Sequence, residues 1–149
     1  MWNSKPLDRL MQWRKFRQSL DSLDLKTSLI KIVKLWSFAP FVNHYLDPDN
    51  FKNWPSPWEL LHENHYCDLA KCLGMFYTIA LSSHGRNNDI ILSIITDQKK
   101  KDEINIVCVN NEHVLNYEFN NLVNIKNVSK NYVCSYNYTA EDLNITSYL

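Results

Sequence analysis

The hydrophobic period of this chain changes once, and that change restricts its fold more than any other feature. Up to Ser82 the apolar residues recur at helical spacing, as in Leu69, Leu73 and Phe76. The residues after the turn SHGRNND form five β-rich segments of strand length: IILSIIT, INIVCV, HVLNYEF, LVNIKNV and YVCSYNY. Helices followed by strands are typical of an α+β fold, in which an antiparallel sheet packs against the helices.

Capping signals and apolar spacing predict four helices. They are expected from Ser4 to about Leu20, from about Leu25 to Ser37, from Pro57 onward, and from about His65 to Ser82. The third start is the most specific, because Ser56-Pro57-Trp58-Glu59 combines a capping box with proline at the first helical position. Asn64 is the predicted N-cap of the fourth helix, which would place Cys67 at its third position.

The composition limits both the number of domains and the class of partner. A chain of 149 residues with 45% hydrophobic content predicts one domain, residues 1–149, with a helical lead-in over 1–53 and the Cys-bearing helix and strands over 54–138. Sixteen basic and sixteen acidic residues cancel, so the charge footprint of a non-specific nucleic-acid binder is missing and no nucleic-acid partner is expected.

The lengths of the apolar runs bear on membrane association and on the cellular location. None reaches the roughly 18 residues that a membrane span needs, so no membrane association is expected. The charged N-terminal stretch MWNSKPLDRLMQWRKFRQ does not resemble a signal peptide. A cytoplasmic location follows as the expectation, with the four cysteines present as thiols.

Cys67 stands at the start of the central helix and at the rim of its apolar stripe. Unpaired backbone N–H groups and the positive end of the helix dipole favour a thiolate there. The alternative is a small packed hydrophobic residue. In the strand HVLNYEF, alternation places His113 on the same face as Leu115, Tyr117 and Phe119, the face expected to cover the helices. His113 is therefore the candidate partner of Cys67.

A nucleophilic Cys–His pair commonly has a third polar group that fixes the imidazole. The strand after His113 offers Asn124 and Asn127. A two-residue turn would place Asn124 on the His113 face, whereas a three-residue turn would bring Asn127 there and turn Val123 and Ile125 inward. Burial of those two residues favours Asn127 as the predicted third member.

These residues resemble the transglutaminase-like superfamily, in particular the bacterial transglutaminase-like cysteine proteinases. The pattern of that family has Trp-x-x-Pro, then Cys-acidic-x-Ala at a helix start, then a strand beginning His-x-Val, and an Asp on the next strand. The matching segments here are Trp54 with Pro57, Cys67 to Ala70, His113 to Leu115, and the Asn124/Asn127 region. The chain departs from the pattern in having bulky His65-Tyr66 before the cysteine and Asn as the third member.

The resemblance implies a transglutaminase- or papain-like arrangement and thiol-dependent acyl chemistry on a peptide or protein amide. Cys67 would be the nucleophile, His113 the base, and Asn127 or Asn124 its orienter. The alternative is a catalytically inactive descendant of the fold that binds a protein partner, as a phage structural or host-interaction protein. The lead-in FAPFVNHYLDPDNFKNWP also resembles small proteins of tailed bacteriophages.

A metal site was considered for His62, His65 and Cys67, since histidines three residues apart share a helical face. No fourth ligand is evident in the sequence, and both histidines lie near a helix start, where solvated polar residues are common. We therefore expect neither a metal nor a cofactor.

Overall fold

The computed structural model describes all 149 residues, and its helices precede its strands as predicted. The helices are α1 (Pro6–Ser19), α2 (Leu25–Ser37), α3 (Pro57–Glu63) and α4 (Asp68–Ala80). The strands are β1 (Ile90–Asp97), β2 (Glu103–Val109), β3 (His113–Glu118), β4 (Asn121–Asn124) and β5 (Tyr132–Thr139). The predicted α+β class is confirmed.

The five strands form one antiparallel sheet in the order β4-β3-β2-β1-β5. Leu92, Val107 and Leu115 lie on the face that joins the main core with the helices. The opposite face carries a smaller apolar cluster that includes Ile106 and Val114. This difference follows from the period of two along each strand, which sends neighbouring side chains to opposite faces.

Helix α4 is the centre of the domain, because eleven of its thirteen residues are buried. It packs on β1, β2 and β3, with α2 beside it. The Thr78 hydroxyl accepts hydrogen bonds from the indole N–H of Trp13 at 3.1 Å and of Trp36 at 2.9 Å. These bonds join α1 and α2 to one point on α4 and satisfy polar groups that would otherwise be buried without a partner.

Helix α1 contacts the rest of the domain through few buried residues. Leu7 and Met11 are exposed. The buried residues of α1 are Arg9 and Trp13. The Arg9 guanidinium donates to the carbonyl oxygens of Leu61 at 2.6 Å and His62 at 3.0 Å, near the end of α3. A cation fits this place because unpaired carbonyls and the negative end of the helix dipole face it.

The chain has only two glycines, and asparagine takes the backbone conformations that glycine usually supplies. Six of the seven residues with positive φ are asparagines, and neither glycine has a positive φ. Asparagine tolerates the left-handed region better than other residues with a Cβ. Many of the asparagines therefore have a turn-forming role that the sequence does not separate from a role in chemistry.

The capping box at the start of α3 is present as predicted: Ser56 Oγ accepts from Glu59 N at 3.2 Å, and Glu59 Oε1 accepts from Ser56 N at 3.4 Å. Replacing Ser56 with alanine removes one of these bonds and is expected to lower the free energy of unfolding by about 1 kcal/mol. Urea denaturation measures the change. Ser83→Ala, at an exposed position with no side-chain bond, is the control; equal stability of the two variants would contradict the prediction.

Candidate functional site

Cys67 lies one step before α4, as its N-cap residue, and not at the third helical position as predicted. The correction arises from Asn64, which has φ 57° and ends α3 in the left-handed conformation instead of starting α4. Cys67 is 5% exposed and belongs to the main core. The thiol is therefore less accessible than a rim position would make it, and its burial matches the packed alternative.

The next residue, Asp68, carries the polar contacts of this helix start. Its Oδ2 accepts from the Asn105 side-chain amide at 2.8 Å, and its Oδ1 accepts from that of Asn116 at 3.3 Å. The Asn116 amide also donates to the backbone carbonyl of Asn105 at 2.9 Å. We call Asp68, Asn105 and Asn116 the Asp68 cluster. It joins the start of α4 to β2 and β3, directly beside Cys67.

Asn116 reaches this cluster because its backbone has φ 67°. In a regular strand, Asn116 would lie on the face opposite Leu115, as predicted. The left-handed residue interrupts the alternation, and the pairing of β3 with β4 is irregular between Val114 and Glu118. The predicted face of Tyr117 is wrong for the same reason, since Tyr117 packs against the smaller cluster on the face away from the helices. Asparagine tolerates this conformation, so the main cost at Asn116 is the interrupted pairing of the strand.

Asn105 is 8% exposed, and its side-chain oxygen has no hydrogen-bond partner. Its amide nitrogen is used by Asp68. A buried acceptor without a donor costs free energy, and native proteins contain few of them. The Asp68 cluster therefore contains one polar atom for which the protein supplies no partner.

His113 is placed at the other end of the sheet from Cys67. It pairs with Val109 on β2, whereas the Asp68 cluster uses Asn105, four residues earlier on that strand. At the rise of a strand this separation is about 13 Å. His113 is partly buried, and its Nε2 lies 3.8 Å from Glu112 Oε2. The structure thus does not bring His113 and Cys67 together.

The two asparagines predicted to orient the imidazole of His113 lie in different places. Asn124 is the residue opposite His113 in the β3–β4 pair, which is the outcome of the shorter turn. Asn127 lies beyond β4 in a 3₁₀ turn, Ile125–Asn127. The side chain of Asn124 accepts from the backbone N–H of Lys126 at 3.0 Å, so it caps this turn. Neither asparagine belongs to the Asp68 cluster.

The remaining surroundings of Cys67 come from the lead-in loop and α4. Burial raises the pKa of Tyr45, and the charges of two glutamates on α3 and of Cys67 add to the effect. Lys71 donates to the carbonyl oxygen of Ser37 at 3.2 Å, and its ammonium lies 5.6 Å from the centre of the Phe41 ring. Burial also raises the pKa of the Cys72 thiol, which keeps it protonated at neutral pH.

No group of three or more His, Cys, Asp or Glu side chains is arranged to hold a metal ion. His62 belongs to α3, whereas His65 lies in the segment between α3 and α4, so the two do not share one helical face. None of the helices combines the length and the apolar character that crossing a bilayer requires.

Comparison with known proteins gives a structural likeness without a sequence match. No protein-family model and no curated protein sequence matches this chain. The calcium-bound LapG of Legionella pneumophila superimposes with a TM-score of 0.71 at 12% sequence identity, over 93% of this chain and 78% of LapG. LapG is a transglutaminase-like cysteine protease. The fold of this chain is transglutaminase-like. The resemblance to phage proteins stays a prediction.

The transglutaminase-like fold draws attention to residues that the sequence analysis passed over. Asn105-Ile106-Val107 has the spacing of His-x-Val with asparagine in the first place, and Asn116 lies on the next strand. Both contact Asp68, which follows Cys67 directly. The only signal for Asn105 in the sequence was its place in INIVCV, the second strand segment after the Cys-bearing helix. Asn105 was not predicted, because a histidine was expected in the strands that follow the Cys-bearing helix.

Proposed function

We propose that this chain uses its transglutaminase-like fold to bind a protein or peptide segment. In this proposal the chain does not cleave the segment, because no Cys–His pair is formed. The observation that carries the proposal is that the polar groups at the start of α4 are the side-chain amides of Asn105 and Asn116, which both contact Asp68. In the proposal they take the places of the histidine and the aspartate of the resembled pattern. The thiol of Cys67 is retained, and the two groups that would activate it are amides.

The chemistry of an amide supports a binding role. An asparagine side chain does not accept and return a proton near neutral pH, which a general base must do. A free cysteine with a pKa of about 8.5 is only a few per cent thiolate at pH 7. The 5% exposure of Cys67 restricts access to it further. Without an imidazole, this site lacks the group that turns a thiol into an efficient nucleophile.

An exposed aromatic patch adjoins the start of α4 and suits an apolar partner segment. The patch consists of Phe38, Phe41 and Phe119, which are 57%, 60% and 71% exposed. The rings of Phe38 and Phe119 pack edge to face, with centroids 5.3 Å apart. Lys71 joins the patch to α4 through its contacts with Ser37 and Phe41. Large exposed aromatic side chains that cluster in this way mark interaction surfaces.

Two assays with unfolded casein test the proposal. Fluorescein-labelled casein is expected to bind the wild-type protein in fluorescence anisotropy, and Phe41→Ser is expected to weaken binding severalfold. Val133→Ser, another exposed apolar position but on β5, is the matched control. Incubation with casein, and with a glutamine peptide plus a primary amine, is expected to give no more cleavage or transfer product than Cys67→Ala. A product that depends on Cys67 would refute the proposal.

The second candidate is the thiol-dependent acyl chemistry predicted from the sequence, with Cys67, His113 and Asn127 or Asn124. Its support is the transglutaminase-like fold together with a cysteine at the helix start. It requires His113 to act on Cys67 across the separation described above. If the casein assay yields a product, His113→Gln decides the assignment: loss of product with an unchanged melting temperature supports His113 as the base, and unchanged activity removes it.

A further inference from the structure

A large cleft of the protein lies at the opposite end of α4 from Cys67. It has a volume of about 1080 Å³ and is bordered by α1, by the turn after α4 and by the segment after β5. Three arginines line it: Arg14 and Arg17 from α1, and Arg86 from the turn. The residues discussed so far as a functional site take no part in this cleft.

None of these arginines has a carboxylate partner. The ion pairs of the protein are His44 with Asp47 and His113 with Glu112, and neither involves an arginine. Asp21 and Glu141 also line the cleft, but neither pairs with an arginine side chain. The cleft thus carries three cationic and two anionic side chains, all without an ion-pair partner.

Arg17 is the most constrained of the three. Its guanidinium lies 4.3 Å from the centre of the Trp13 ring, and its Nη1 donates to the carbonyl oxygen of Leu81 at 3.4 Å. Its Nε is buried without a hydrogen-bond partner. Burial and, to a lesser degree, the positive charge of Arg14 lower the pKa of Arg17. Arg17 therefore holds its positive charge in a partly buried place without an ion pair from the protein.

We infer that this cleft binds a small organic molecule that carries several anionic oxygens, as phosphate esters and polycarboxylates do. The planar guanidinium matches both groups, because its donors form a fixed fork that fits two oxygens at once. The volume exceeds that of a simple inorganic anion and lies at the upper end of the sizes of clefts that hold small organic ligands. The ligand neutralises the facing arginines, and the apolar residues of the lining contact its body.

Isothermal titration with inorganic pyrophosphate and with citrate, at one fixed ionic strength, tests the inference. The wild-type protein is expected to bind at least one of them at a single site, and the tighter of the two assigns the phosphate or the carboxylate class. Arg14→Gln and Arg86→Gln, both at exposed positions, are each expected to weaken binding about tenfold, as loss of a charged hydrogen bond does.

Lys15→Gln is the matched control, because Lys15 is exposed on α1 next to Arg14 and does not line the cleft. It should bind as the wild type does. Absence of binding to both anions would overturn the inference. So would binding that Lys15→Gln weakens as much as the arginine variants do, since that result describes a general response to surface charge.

Discussion

Replacing Asn105 with histidine is expected to raise the alkylation rate of Cys67 at pH 7 about tenfold or more. Asp68 Oδ2, which accepts from the Asn105 amide at 2.8 Å, would accept from one N–H of the introduced imidazole and fix its ring. The other nitrogen would then be free to take the proton of Cys67, the residue before Asp68. A cysteine paired with histidine is mostly thiolate at neutral pH, whereas a free one is only a few per cent thiolate.

The difference in alkylation rate between the variant and the wild type is expected to depend on pH. An imidazolium lowers the pKa of a neighbouring thiol, so the excess of the variant's rate over that of the wild type should be largest near neutral pH and should shrink as the pH is raised. Timed alkylation with iodoacetamide followed by peptide mapping measures the rate, with the exposed Cys134 as internal standard.

Two further variants distinguish the effect of the imidazole on the alkylation rate from the effect of a simple loosening of the site. Asn105→Gln changes the same position without adding a base and is expected to leave the rate of Cys67 near that of the wild type. Asn105→His combined with Asp68→Asn removes the carboxylate that orients the ring, and it should lose most of the gain. Equal acceleration by glutamine and histidine would show that access to the thiol, and not its ionisation, had changed.

Replacing Gly74 with alanine is expected to lower the free energy of unfolding by about 3 kcal/mol. Gly74 lies inside α4, where alanine would ordinarily stabilise the helix by up to about 1 kcal/mol. Here an added Cβ would overlap the ring of Trp36, closer than any van der Waals contact allows. The ring is fixed by its hydrogen bond to Thr78, by a tilted contact with the Trp2 ring and by an edge contact with the Tyr66 ring. The clash therefore outweighs the gain in helix propensity.

Urea denaturation followed by tryptophan fluorescence measures the effect. Lys31→Ala, on the exposed side of α2, is the control for a substitution that creates no overlap. In a double-mutant cycle, Gly74→Ala should cost less in a Trp36→Leu background than in the wild type, because the overlapping ring is gone. A Gly74→Ala protein as stable as the wild type would mean that the α2–α4 contact is looser than described.

The sequence predicted the elements of this fold better than it predicted the candidate site. The capping box at Ser56 and the five strand segments have local causes, namely a side-chain bond and an alternating pattern, and both were recognised. Asn64 and Asn116 were misassigned because an asparagine that caps a helix and one that adopts positive φ look alike in a sequence. The error at Asn64 gave a wrong helix position for Cys67, and the error at Asn116 gave a wrong strand face for Tyr117.

The candidate site was difficult for a second reason. Contact between Asp68 and Asn105 depends on how α4 lies across the sheet, and no local pattern specifies that placement. His113 was predicted from its residue type and its strand face. Its position along the sheet depends on the pairing register, which the sequence does not specify.

The position of β5 also affects how the chain reaches its native state. Strand β1 pairs with β2 through a short turn, but its other neighbour, β5, follows only after residues 98–131. Closing so long a segment is slow compared with forming the hairpins. During synthesis, the β1 edge that includes the buried Ile94 and Ile95 stays open until β5 has emerged from the ribosome. An open apolar edge can recruit strands from other chains, so this interval is when the protein is most prone to aggregate.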